Sequence, residues 1–344
     1  MDYKGGKEGA EAKSQLARMY DIIAIGDSTV DIFLEIDEAT VLCDMDRETC
    51  RLCISYADKI AVRKMTRVNA VGNAANHAVG VSRLGLKGAI VTIVGNDNAG
   101  HEIIQTLKKE RVNTKYICVD KKRGTNYSTV INYKGERTIL VYHERRDYEW
   151  CVVPKSSWMY FTSMGDGHDV MYANLVRHVR ETQCQLAFNP GTFQLKLGIA
   201  GIGPILQISD VLFLNKEEAR GLIGGDEKKN NHIVELLEEF HTLGPKIIAI
   251  TDGQHGSYVY DGTTKYHLPI FEAPVVERTG CGDAFGSGFT AALAYGHDVK
   301  EAMRWGNVNA SGVIQYIGAQ QGLYTKKEIE DLLSPHPEFQ PEIL

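Results

Sequence analysis

The sequence predicts an α/β fold: a mostly parallel central sheet with helices on both faces and a small β-layer beside it. Three observations point there. Short apolar runs alternate with helical patterns along most of the chain. Those runs are apolar on both faces, as strands covered on two sides must be. One stretch breaks the rhythm, with alternating residues on either side of Lys134-Gly135, the pattern of a hairpin outside the main sheet.

Taken in order, Ile22–Ile25 is predicted as the first strand, ending at Gly26. Ala74–Leu84 is predicted as a helix closed by Gly85, with a strand at Ala89–Val94. His101–Glu110 is helical in pattern, because Ile103, Ile104 and Leu107 share one face. Met159–Thr162, Leu186–Asn189, Val211–Asn215 and Ile247–Thr251 are short apolar strands, each followed by a polar loop or a helix. Phe285, Phe289 and Leu293 recur every four residues, so a helix starts near Cys281 and runs to Tyr295. Asp298 is a good N-cap for the next helix, predicted to reach about Tyr316. The hairpin Ser128–Tyr133 and Arg137–His143, with the segment Asp31–Gly72 of weak helix signals and some β character, would form the small β-layer. Met1–Arg18 is polar and reads as a disordered extension or an appended tag. Residues 19–333 then make one domain, with the β-layer drawn from 32–70 and 126–145. The proline-bearing tail 334–344 is expected to be loosely held.

A chain of 344 residues with 43% hydrophobic residues is long enough for one large α/β domain with a full core. The formal net charge of −6 argues against nucleic acid or an anionic membrane as the main partner. No apolar run approaches a membrane span, and the polar N-terminus lacks a signal-peptide core. Seven scattered cysteines then suggest reduced thiols in a cytoplasmic protein.

The most informative stretch is Glu277-Arg278-Thr279-Gly280-Cys281-Gly282-Asp283. Gly280 and Gly282 sit where a helix starts, and a helix start offers unpaired N–H groups and a positive dipole end. That suits a phosphate. Asp283 is a carboxylate in the same first turn. Anion site and base together point to phosphoryl transfer to a hydroxyl, whereas a plain strand-to-helix turn would leave the acid unexplained. The loop is neither a P-loop nor a dinucleotide fingerprint. Cys281 is read as filling space while its N–H binds, and a helix start would also lower its thiol pKa.

Asn215 ends a strand and Glu218 lies one helical turn on. Read alone the pair suits a capping box, and beside the glycine loop a dual role that also meets a hard cation such as Mg²⁺, directly or through water. Thr251 and Gly253 end another strand, where ligands of open α/β sheets gather. They offer a nucleotide-phosphate contact or a plain Asp-Gly turn. Asp31, Asn73 and Asn76 form a short-armed set of donors and acceptors suited to a hydroxyl-rich ligand, although N-capping also explains Asn73. Cys43, Cys50 and Cys53 lack an obvious fourth ligand for zinc, with Asp44, Asp46 and His77 conceivable, so small buried thiols are the simpler reading.

These motifs, in this order, resemble the PfkB, or ribokinase-like, carbohydrate kinases from about Tyr20 to Leu333. Gly280-Cys281-Gly282-Asp283 resembles that family's G-A-G-D signature, and Asn215–Glu218 its N-x-x-E motif. Gly72–Asn76, with Ser82-Arg83-Leu84-Gly85, resembles its N-terminal glycine signature. The resemblance implies a three-layer sandwich of nine strands or so with a β-sheet lid, and transfer of the γ-phosphoryl of ATP, with Mg²⁺, to a sugar or nucleoside hydroxyl. By position it implies Asp283 as the base and Gly280, Cys281 and Gly282 as the anion hole. It implies Asp31, Gly72, Asn73 and Asn76 as substrate contacts. Asn215, Thr251, Gly253 and Asn307 fall to the nucleotide, and Asn215 and Glu218 to Mg²⁺.

Two departures stand out. Glu277-Arg278 replaces the usual Asp-Thr, so a monovalent cation such as K⁺ would rest on Glu277 and the Gly318-Ala319-Gln320 turn. Val71-Gly72 replaces the Gly-Gly hinge. A ribokinase- or fructokinase-like sugar kinase is the leading expectation. A nucleoside kinase, with Phe33, Tyr133 and Tyr142 as base-pocket walls, and a non-catalytic sensor are the alternatives. Arg145 and Arg146 are candidates to meet a phosphorylated acceptor. Open lid edges would favour a homodimer joined through the lids.

Overall fold

The computed structural model describes residues 20–44, 50–148, 150, 153–165, 167, 169–223 and 232–344; the N-terminal extension lies outside them. In chain order the strands are β1 (Tyr20–Ile25), β2 (Thr29–Ile36), β3 (Thr40–Cys43), β4 (Cys50–Cys53), β5 (Val62–Val71), β6 (Gly88–Gly95), β7 (Asn113–Asp120), β8 (Tyr127–Tyr133), β9 (Glu136–Tyr142), β10 (Ser156–Phe161), β11 (Gln185–Phe188), β12 (Val211–Asn215), β13 (Ile247–Thr251), β14 (Ser257–Tyr260), β15 (Lys265–Leu268) and β16 (Glu342–Ile343). The helices are α1 (Asn73–Arg83), α2 (Asn98–Lys109), α3 (Asp169–Thr182), α4 (Thr192–Lys196), α5 (Gly198–Leu206), α6 (Lys216–Ile223), α7 (Ile233–Thr242), α8 (Cys281–Ala294), α9 (Val299–Val313) and α10 (Lys326–Leu333).

The central sheet has ten strands in the order β16-β15-β14-β13-β12-β11-β10-β1-β6-β7. From β7 to β13 neighbours run parallel, and the last three strands are antiparallel. Alternation along β10 shows why the sheet is covered on both sides. Met159 and Phe161 pack with Leu175 and Phe240 on one face, and Trp158 and Tyr160 with Phe285, Phe289 and Trp305 on the other. Each such fully buried aliphatic or aromatic side chain contributes about 1.5–3 kcal/mol, so the two-sided core fixes the sheet and the strand ends that carry the site. Among the described residues no helix is long and apolar enough to cross a membrane.

A second sheet, β5-β2-β8-β9, forms the lid. β2 runs parallel to β8, and the outer pairs are antiparallel. The β8–β9 turn has positive φ at both Lys134 (51°) and Gly135 (86°), the twist that suits a tight hairpin.

The described part of the segment between Asp31 and Gly72 forms strands, as expected for the β-layer, and adds a separate hairpin, β3–β4, and three other expectations need correction. In that hairpin Cys43 and Cys50 stand directly opposite each other and form a disulfide, with Cα atoms 4.0 Å apart. Cross-strand pairing brings them within bonding reach, so the reading of free thiols throughout does not hold. Cys53, Cys118 and Cys281 are outside that disulfide, and no cluster able to hold a metal occurs among the described residues. The second C-terminal helix stops at Val313, short of Tyr316. The tail is anchored as well. β16 pairs with β15, Arg304 Nε donates to the Phe339 carbonyl at 2.8 Å, and Phe339 packs edge-on against Phe271.

Candidate active site

The carboxyl ends of β11, β12 and β13, the start of α1, the start of α8 and the inner face of the lid enclose one cavity of about 930 Å³. Asp31, Gly72, Asn73, Asn76, Asn215, Glu218, Thr251 and the run Gly280–Asp283 all line it. Gly253, Glu277 and Asn307 are not in its lining. Asn307 has a different occupation: its amide donates to the carbonyls of Leu268 and Pro269 and accepts from Ser257 Oγ at 3.0 Å.

Gly280 is the N-cap of α8 at φ 82°. A Cβ there would lie 2.3 Å from Ala319 Cβ, so glycine is required by backbone and by space. At Gly282 nothing stands within 4 Å of an added Cβ. The N–H groups of Gly282 and Asp283, in the first turn, have no partner within the helix. Asp283 is buried, and its Oδ2 accepts from Asn76 Nδ2 at 2.7 Å. Burial raises its pKa to about 6, against the opposing pull of the Asn76 and Asn73 amides. Cys281 does not follow the helix-start expectation. Burial first, and the Glu277 charge second, push its thiol up to about 11, and its N–H donates to the Arg278 carbonyl at 3.4 Å.

Asn76 is itself held. Gln320 Nε2 donates to Asn76 Oδ1 at 2.9 Å and to the Ala70 carbonyl at 2.6 Å. Beneath lies His77, fully buried and stacked on Tyr160 with ring centroids 3.5 Å apart. Burial lowers its pKa to about 3, so it stays neutral. Asn73 reaches Asn189 Oδ1 at 3.4 Å, and Asn189 is anchored by donating to the Phe213 carbonyl at 3.0 Å. Asp31 accepts from Thr29 Oγ1 at 3.2 Å; burial raises its pKa, while hydroxyl bonds from Thr29 and Ser128 oppose the rise.

Asn215 and Glu218 form the reciprocal cap: each side chain accepts the other's N–H at 2.8 Å. Only one Glu218 oxygen is used this way, and both residues still line the cavity. Burial raises the Glu218 pKa, opposed by the Asn215 N–H and helped by the charges of Glu217 and Asp283. Glu277 Oε1 accepts from the Thr279 N–H at 2.8 Å and from Arg137 of β9. Its Oε2 is buried without a partner among the described residues.

Several lining residues escaped the sequence reading: Asn189, His143, Lys196 and Arg137. Asn189 follows a strand end, a signal that was available. The others depend on tertiary placement. Arg146 is no acceptor contact, being buried against Asp120 and the Gly124 carbonyl. Of the aromatic trio only Tyr142 lines the cavity; Phe33 is buried, and Tyr133 donates to the Ala39 carbonyl at 2.5 Å.

Comparison with known proteins shows the family and the fold. A family model described as pfkB family carbohydrate kinase matches residues 36–326. The ribokinase of Bacillus subtilis (strain 168) is 27% identical over 265 residues, 76% of this chain and 87% of that protein. The structure of Arabidopsis thaliana ribokinase complexed with ribose and ATP gives a TM-score of 0.75 at 21% identity, covering 91% of this chain and 98% of that one. The Methanocaldococcus jannaschii nucleoside kinase gives 0.72 at 20% identity, covering 93% and 100%. The structural likenesses show the ribokinase fold. The chain belongs to the pfkB family of carbohydrate kinases and is a phosphotransferase with an alcohol group as acceptor, a sugar or nucleoside kinase.

Proposed function

We propose that the chain transfers the γ-phosphoryl group of ATP to a hydroxyl of a sugar, with Asp283 as general base. One observation carries this reading. A buried carboxylate with a pKa of about 6 stands in the first turn of α8, hydrogen-bonded to Asn76 and within electrostatic reach of Glu218, in a cavity that Asp31, Asn73, Asn215 and Thr251 also line. Asp283 takes the hydroxyl proton as that oxygen attacks the γ-phosphorus in line, while the bond from phosphorus to the β–γ bridging oxygen breaks and ADP leaves. The first-turn N–H groups of α8 stabilise charge on the transferring oxygens. The lid excludes water, which would otherwise accept the phosphoryl group.

An Mg²⁺ ion fits the donor set, since Glu218 keeps one carboxylate oxygen uncommitted beside Asn215 in an oxygen-rich wall. Bound there, it neutralises phosphate charge. Thr251, in the same wall, suits the nucleotide phosphates. A monovalent cation at Glu277 would have only Oε2 to use and would sit beside the Arg137 guanidinium. The short polar set Asp31, Asn73 and Asn76 in the lining favours a sugar over a nucleoside, while Tyr142, Phe193, Phe213 and Phe285 supply the aromatic parts of the wall. The exposed strand β9 favours association through the lid.

The test is turnover of ATP with ribose, fructose and adenosine, in the wild type and in Asp283→Asn. The variant is expected to fold and to lose about 10²–10⁴-fold in kcat. Near-normal turnover would sink the assignment. A wild type that bound these ligands without turnover would be a sensor.

A further inference from the structure

His143 directly follows β9 and lines the cavity, yet no motif draws attention to it. Its Nδ1 lies 3.2 Å from Asp27 Oδ2. Asp27 is only 3% exposed and is rigidly held. Its two oxygens accept from the Tyr148 hydroxyl at 2.9 and 2.8 Å, Oδ2 accepts from the Gly165 N–H at 2.9 Å, and its own N–H donates to the Ser163 carbonyl at 2.8 Å. A carboxylate so placed fixes the imidazole as the Nδ1–H tautomer, as a carboxylate behind a working histidine does. Asn126 Nδ2 lies 3.5 Å from the same nitrogen, and Phe193 flanks the ring at 5.7 Å. Nε2, on the other side of the ring, has no hydrogen-bond partner among the described residues and is not a buried orphan. Nε2 is thus the ring nitrogen left over by the chain of Tyr148, Asp27 and His143 Nδ1, on a residue that lines the cavity.

We propose that His143, oriented by Asp27, is a specificity-determining contact to the acceptor, its Nε2 accepting a hydrogen bond from an acceptor hydroxyl that is not phosphorylated. The proposal rests on the acceptor reading above. It adds a grip from the lid side to the grip of Asp31, Asn73 and Asn76. Acceptor recognition then depends on the lid being in place.

Two substitutions separate this contact from a merely structural bond to Asp27. His143→Asn keeps a donor where Nδ1 stands and deletes Nε2. His143→Gln keeps a polar atom near Nε2 and gives up Nδ1. Steady-state kinetics with ribose, fructose and adenosine at saturating ATP are the readout. The contact predicts that His143→Asn raises the KM of the best acceptor about tenfold with kcat and the KM for ATP little changed, while His143→Gln stays within about threefold. The reverse order, an equal effect in both, or loss of folding in both would make the histidine structural and overturn the proposal. A wild type that phosphorylates none of the three acceptors would defeat the acceptor reading itself, and the contact would fall with it.

Discussion

At Asp283 the fold holds a carboxylate whose pKa burial has raised to about 6 from an ordinary 3.8. A base must be ionised to work, so kcat/KM is expected to fall about tenfold for each pH unit below 6. A rate that stays flat down to pH 5 would remove Asp283 from that role. The same burial has a sign for stability. The folded state binds this proton more tightly than the unfolded state, so the stabilising share is complete below about pH 4 and lost as pH rises through 6. At pH 8 the buried charge costs about 3 kcal/mol. Asp283→Asn is thus expected to melt higher than wild type at pH 8, with the gain vanishing near pH 4; thermal melts across that range check it. The loop itself was legible, because Gly280, Gly282 and Asp283 are contiguous and each has a local reason. Its supports were not. Asn76 reaches Asp283 across 207 positions and Gln320 reaches Asn76 across 244, and no local pattern records such distances.

Between elements, the contact most open to test joins the lid to the anion loop. Arg137 comes from β9, and the Glu277 oxygen it binds also accepts the Thr279 N–H. The lid strand therefore braces the turn that leads into α8. Arg137→Ala is expected to raise KM for ATP and for the acceptor together by about three- to tenfold, the scale of one charge-assisted hydrogen bond. A change confined to one substrate would show that lid and loop act apart. Strands at the sheet centre were readable because they are buried on both faces, as β12 is. The lid was less so. Its β8–β9 hairpin was read from its alternation, but every residue of β3 is exposed, so that strand has no core side to write such a pattern into the sequence.

For the molecule as a whole, β9 is the edge of the lid sheet, and Leu140 on it is 56% exposed. Association through that edge predicts a dimer by sedimentation, and Leu140→Glu is expected to yield monomers. A monomeric wild type would overturn the lid-to-lid arrangement. The fold class was legible from alternation of strands and helices. The last described strand was not, because β16 is two residues long and follows a stretch broken by Pro335, Pro337 and Pro341. Yet that short strand covers the open side of β15, and the Leu344 N–H donates to the Lys265 carbonyl at 3.0 Å. Glu342 and Ile343 thus occupy an edge of β15 that would otherwise be open to a neighbouring strand. Removing residues 341–344 is expected to leave kcat intact but cause slow, concentration-dependent aggregation, visible by light scattering. For the same reason, a fusion partner joined after Leu344 would have to leave from a paired strand rather than from a free chain end.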